Sequence, residues 1–134
     1  MGLTYVTVTL KALGGRKEYQ EIFLVDTGAK DTMAPASELR KIGVKPIGKE
    51  AYELADGSLK EYEFGLAEIS FMGSVTAGRV LFGPDGVEPL LGVIMLESVG
   101  IVVDPKNEKL IRLPSTKLKA ITAQSPSSIQ VTLF

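Results

Sequence analysis

The sequence predicts an all-β fold, a small closed β-barrel carrying one or two short helices. Three observations carry that reading. Eight or nine short stretches are apolar or alternate between apolar and polar residues. Turn signals rich in Gly, Pro and Asp separate them at regular spacing. Only two stretches, Ala36–Ile42 and Val93–Ser98, read as helix. At 134 residues the chain is expected to form a single domain, 1–134, long enough to hide roughly two-thirds of its unfolded surface.

Residues 3–12 alternate, with Val6, Val8, Leu10 and Ala12 on one face and Tyr5, Thr7, Thr9 and Lys11 on the other, as a half-buried strand does. Leu13-Gly-Gly-Arg16 supplies a hairpin turn, and residues 17–25 return as a strand. Its last four residues, Ile22-Phe-Leu-Val25, are apolar without a break, which reads as burial on both faces. Thr32-Met-Ala-Pro35 leads into the first helix, framed by Pro35 at its start and Gly43 beyond its end.

Residues 49–55 and 58–64 flank Asp56-Gly57, a strong hairpin signal. Leu66–Met72 and Val75–Phe82 read as two further strands around Gly73-Ser74, and Gly83-Pro-Asp-Gly86 as a turn. Pro89-Leu-Leu-Gly92 precedes the second short helix. Gly100–Arg112 reads strand, turn, strand, with the turn at Asp104-Pro105-Lys-Asn107. Residues 113–134 form a polar, turn-rich tail whose end, Ile129–Phe134, alternates as a strand. Such a strand needs an edge to pair with, and that edge is expected on a second subunit.

Composition removes whole classes of chemistry. There is no His, so His-based triads, His general bases and His metal sites are excluded. There is no Cys, which excludes disulfides, thiolate nucleophiles and cysteine zinc sites. No cofactor or metal is expected. Fifteen basic residues stand against sixteen acidic ones with no basic block, so no nucleic-acid partner is expected. No apolar run is long enough to span a membrane, and Met1-Gly-Leu-Thr-Tyr lacks the layout of a signal peptide. Gly2 is followed by Val6 where a myristoylation signal needs Ser or Thr. A cytoplasmic location is expected.

The apolar run ending at Val25 delivers Asp26, and Thr27-Gly28-Ala29 follow at once. Two readings of Asp26 stand side by side. It is a strand-to-turn carboxylate bonding nearby backbone N–H groups, or it is a catalytic carboxylate. No internal repeat duplicates the motif: Asp56-Gly57, Asp85-Gly86 and Asp104-Pro105 are turn acids, none followed by Thr-Gly or Ser-Gly.

In order, the apolar strand into Asp26-Thr27-Gly28-Ala29, the hairpin centred on Ala55-Asp56-Gly57-Ser58, and Leu90-Leu91-Gly92 followed by a short helix resemble the retropepsin family of aspartic proteases in its small microbial form. Glu88-Pro-Leu-Leu-Gly-Val, Leu96-Glu and Gly100-Ile-Val-Val-Asp-Pro105 are similar to the cellular members. The resemblance covers about residues 3–112. It implies a closed barrel of the retropepsin type, active as a two-fold homodimer, that hydrolyses a peptide or protein substrate.

Carried over residue by residue, the resemblance makes Asp26 catalytic and paired with Asp26 of a second subunit. Thr27 would hydrogen-bond across the dimer, and the Gly28 carbonyl would meet the substrate backbone. Ala55–Ser58 would form a flap, and Leu90 and Leu91 would line a side-chain pocket beside the loop. The hairpin also reads as an ordinary exposed turn, and Leu90-Leu91 also read as core. One departure is clear. Viral members pair an acid two places after the loop glycine with an Arg just after the second motif's Gly, and Lys30 and Val93 stand at those places here, with Asp31 offset by one. A barrel that keeps the fold as a catalytically silent peptide-binding or dimerisation module is the alternative, and an unrelated ligand-binding barrel would be monomeric.

Overall fold

A computed structural model of the chain describes residues 3–114. The expected C-terminal strand at 129–134 lies outside them. The chain order is β1 (Thr4–Ala12), β2 (Glu18–Asp26), β3 (Thr32–Pro35), α1 (Ala36–Lys41), β4 (Gly48–Glu53), β5 (Leu59–Phe71), β6 (Ser74–Gly83), β7 (Leu90–Gly92), α2 (Val93–Ser98), β8 (Ile101–Asp104) and β9 (Lys109–Arg112). Among the described residues, no helix is long and apolar enough to cross a membrane.

Six strands close a barrel in the order β1-β2-β7-β3-β6-β5, and β1 pairs back onto β5 through Thr9–Ala12 and Ala67–Ser70. Alternation in β1 buries Val8 and Leu10 fully. They meet Phe23, Ile69, Val80, Leu91 and Leu96 in one core. β4 stands outside the closed ring as the partner of the first half of β5. β8 and β9 form a separate two-stranded sheet, tied down where Arg112 donates to the Met72 carbonyl and the Ser74 hydroxyl at the β5–β6 turn.

The structure corrects two expectations and adds one strand to which the sequence analysis gave no assignment. Ile22–Val25 is not buried on both faces: Phe23 has no exposed surface but Ile22 is 56% exposed, so the strand alternates as one wall of a barrel. The two strands expected at 58–64 and 66–72 are one, β5 (Leu59–Phe71), which continues through Gly65. Glycine is required there because a Cβ would lie 2.6 Å from the Lys45 carbonyl oxygen, where the 44–47 connector crosses the strand. Thr32–Pro35 is itself a strand, β3, paired in parallel with β6 and meeting β7 at Met33–Leu90. That pairing draws the segment after Asp26 across the end of the barrel and so shapes the candidate site.

Candidate active site

β2 carries Asp26 to the barrel end, where it pairs in parallel register with Gly92 of β7. The chain then turns sharply. The Gly28 N–H donates to Asp26 Oδ1 at 3.0 Å, and the Ala29 N–H donates to the Asp26 carbonyl at 3.1 Å. The side chain of Asp26 is thereby oriented by its own loop. Asp26 is half-buried, while Thr27 and Gly28 are exposed.

The loop is sewn to the β7–α2 junction. The Val93 N–H donates to the Ala29 carbonyl at 2.9 Å and the Ile94 N–H to the Lys30 carbonyl at 3.3 Å. The buried Gly92 N–H donates to Thr32 Oγ1 at 3.0 Å, and Thr32 has no exposed surface. A Cβ at Gly92 would stand 2.6 Å from both the Lys30 carbonyl oxygen and the Asp31 carbonyl carbon. The second glycine motif therefore serves as the bed on which the Asp26 loop rests.

The β4–β5 hairpin stands beside this loop. Its turn is closed by the Leu54 N–H to the Ser58 carbonyl at 2.8 Å and the Gly57 N–H to the Leu54 carbonyl at 2.9 Å, with Gly57 at φ +85°. Asp56 Oδ1 accepts from the Ser58 hydroxyl at 2.6 Å and the Ser58 N–H at 2.9 Å. Those bonds hold the Asp56 carboxyl below its ordinary pKa.

Between loop and hairpin runs a groove of about 770 Å³. Among the sequence-derived candidates, Asp26, Gly28, Ala29, Ala55 and Leu90 line it. Thr27 does not; it lies with Leu3, Val25, Val103 and Pro105 along a separate, smaller depression. Asp56, Gly57 and Ser58 are exposed at the hairpin tip, away from the lining. Of the two readings of Leu91 the structure supports core: it has no exposed surface because it alternates with Leu90 on β7 and points into the barrel. Gly92 is buried behind the loop.

The groove contains residues that sequence reasoning did not assign. Met33, Tyr62 and Leu81 add apolar and aromatic lining. Lys30 and Asp31 come from the loop, and Glu50 and Tyr52 from β4. The Tyr52 hydroxyl donates to Asp31 Oδ2, and the Asp31 carboxylate is buried. Lys30 Nζ lies 4.0 Å from the same oxygen. Burial, and then the Asp31 carboxylate, push the Tyr52 phenol up to about 12. The alternation of Glu50 and Tyr52 on β4 is a signal of an inward face, but a short one among charged neighbours. Val93 lies at the start of α2, so the place of the viral arginine holds an aliphatic side chain, and the loop is fastened by backbone bonds and Thr32 instead. Among the described residues, no group of three or more His, Cys, Asp or Glu is placed to hold a metal ion.

A family model described as aspartyl protease matches residues 7–94, about two-thirds of the chain. The match runs from β1 into α2, and so includes the Asp26 loop, the hairpin and Leu90-Leu91-Gly92. No curated protein matches the sequence. With the barrel, the Asp-Thr-Gly loop and the facing hairpin in place, the chain belongs to the retropepsin-like aspartyl protease family.

Proposed function

We propose that the chain is an aspartic endopeptidase whose active unit is a homodimer with one Asp26 from each subunit. The observation that carries this is the Asp26 carboxylate held at the edge of the groove by the Gly28 N–H. Peptide hydrolysis needs one group to take a proton from water and another to give one to the scissile carbonyl. The sequence holds a single Asp-Thr-Gly, so the second carboxylate comes from a second copy at a two-fold axis. Two carboxylates so close share one proton and titrate as a pair.

In this mechanism the ionised carboxylate deprotonates a water held between the two Asp26 residues, and the water attacks the carbonyl carbon. The protonated Asp26 of the second subunit donates to the carbonyl oxygen, giving a neutral tetrahedral intermediate. The first Asp26, now protonated, gives its proton to the amide nitrogen while the second Asp26, now ionised, takes one from a hydroxyl of the intermediate, and the C–N bond breaks to leave a carboxylic acid and an amine. Proton transfer of this kind contributes about 10²–10⁴-fold in rate. The exposed position of Thr27 supports a contact across the dimer, and the exposed Gly28 supports a carbonyl offered to substrate. The hairpin carries β4 at the edge of the sheet, where an extended peptide can add as a strand. Ala29, Met33, Leu81 and Leu90 give the groove apolar walls, which favour apolar side chains beside the scissile bond.

The Gly28–Asp26 bond would equally serve a structural turn in a silent peptide-binding module. The test separates the two. Wild type and Asp26→Asn are given a mixed peptide library from about pH 3 to about pH 7, the range a shared-proton carboxylate pair covers. Cleavage by wild type alone supports the protease, and silence of both at a concentration where the wild type is dimeric supports the binding module.

A further inference from the structure

β4 turns alternate residues toward the barrel. Gly48, Glu50 and Tyr52 are half-buried, whereas Lys49, Ala51 and Glu53 are exposed. The two inward polar side chains are both anchored. Glu50 Oε1 accepts from the Arg79 guanidinium of β6 at 2.6 Å, and that guanidinium lies 3.8 Å from the centre of the Phe64 ring. The Tyr52 hydroxyl donates to Asp31 Oδ2. Asp31 sits on the loop that carries Asp26, and its side chain is 5% exposed. Tyr52 and Asp31 both line the groove, so their bond joins its two walls.

A two-stranded hairpin is marginally stable by itself. This one is attached through β5 alone, at the sheet edge. Its placement over the groove therefore depends on the side chains beneath it. Glu50 reaches only the barrel wall, but Tyr52 reaches the Asp26 loop. Lifting the hairpin would strip a buried carboxylate of its hydroxyl donor, which is costly.

We infer that Tyr52 is a positioning residue whose hydrogen bond to Asp31 latches the hairpin over the Asp26 loop and sets how often the groove is closed. The inference rests on reading the groove as the peptide site. A hydrogen bond to a charged acceptor shifts an open–closed equilibrium by about tenfold or more.

The test is amide hydrogen exchange over residues 48–54 in wild type, Tyr52→Phe, Asp31→Ala and the double variant. Each single variant is expected to speed exchange there by about tenfold or more, and the double variant no further, because both remove one bond. Asp31→Asn keeps an acceptor and is expected to stay nearer wild type. Unchanged exchange, or single effects that multiply in the double variant, would overturn the latch. If Asp31→Ala fails to fold, Tyr52→Phe against Asp31→Asn decides by the same criterion, since Tyr52→Phe retains the ring packed near Tyr62.

In peptide cleavage, Tyr52→Phe is expected to raise KM more than it lowers kcat, because bound peptide itself holds the hairpin down. A fall in kcat at constant KM would count against the latch. Exchange needs no substrate, so a wild type that cuts nothing would refute the protease reading while the exchange result still decides this one.

Discussion

Gly92→Ala is expected to damage the Asp26 loop out of proportion to its cost in stability. Gly92 has φ −84° and ψ 166°, a conformation alanine adopts freely, so backbone strain is not at issue. Space is. The added Cβ would lie 2.6 Å from the Lys30 carbonyl oxygen and from the Asp31 carbonyl carbon, where ordinary contact begins at 3.4 Å. Both obstacles are backbone, so either the loop or the β7–α2 junction must move by roughly an ångström, at an overpacking cost of about 1–3 kcal/mol. The smaller unfolded-state entropy of alanine returns about 0.4–1 kcal/mol of that. A displacement of about 1 Å beside reacting groups lowers rate about 10²-fold. The assay is kcat/KM on a cleaved peptide together with a thermal melt. Gly14→Ala is the control: at φ +72° with nothing within 4 Å, it costs a comparable strain of about 1–2 kcal/mol far from the groove. Both variants should melt a few degrees early, and Gly92→Ala alone should lose activity. Wild-type activity in Gly92→Ala would refute the claim that this junction positions the loop.

Other consequences follow from the same contacts. Thr32→Val removes the acceptor of the buried Gly92 N–H and is expected to cost about 1–3 kcal/mol; an unchanged urea midpoint would contradict this. One of the four tyrosines should ionise near pH 12 in an absorbance titration, and Tyr52→Phe should remove that step. Because folding raises this pKa from 10 to about 12, the stabilisation from Tyr52 is complete below pH 10 and is lost as pH rises through about 12. Lys30→Ala should change activity little, since its contact with Asp31 is 4.0 Å long and its side chain is 60% exposed; a loss as large as that of Asp26→Asn would overturn the assignment.

The parts of this fold that were legible in the sequence are those with local causes. The Asp56-Gly57 turn and the span of α2, Val93–Ser98, depend on neighbouring residues, and each stands where expected. β3 was not legible as a strand because a four-residue parallel pairing with β6 leaves no turn and no long alternation behind. Gly65 reads as a breaker, yet its reason is the distant Lys45 carbonyl. The unbroken apolar run Ile22–Val25 hides the outward turn of Ile22, since an exposed aliphatic residue looks like a buried one. In the candidate site, Asp26 announces itself through its motif. The Asp31–Tyr52 bond does not, because it joins residues 21 apart that meet only when the hairpin folds over the loop.

The most direct test of the central claim mixes wild-type chains with Asp26→Asn chains under conditions of subunit exchange. If each active unit draws one Asp26 from each subunit, activity follows the square of the wild-type fraction, and an equal mixture keeps about a quarter. Activity that falls only in proportion to the wild-type fraction would show that one chain carries the whole catalytic apparatus, and would contradict the account.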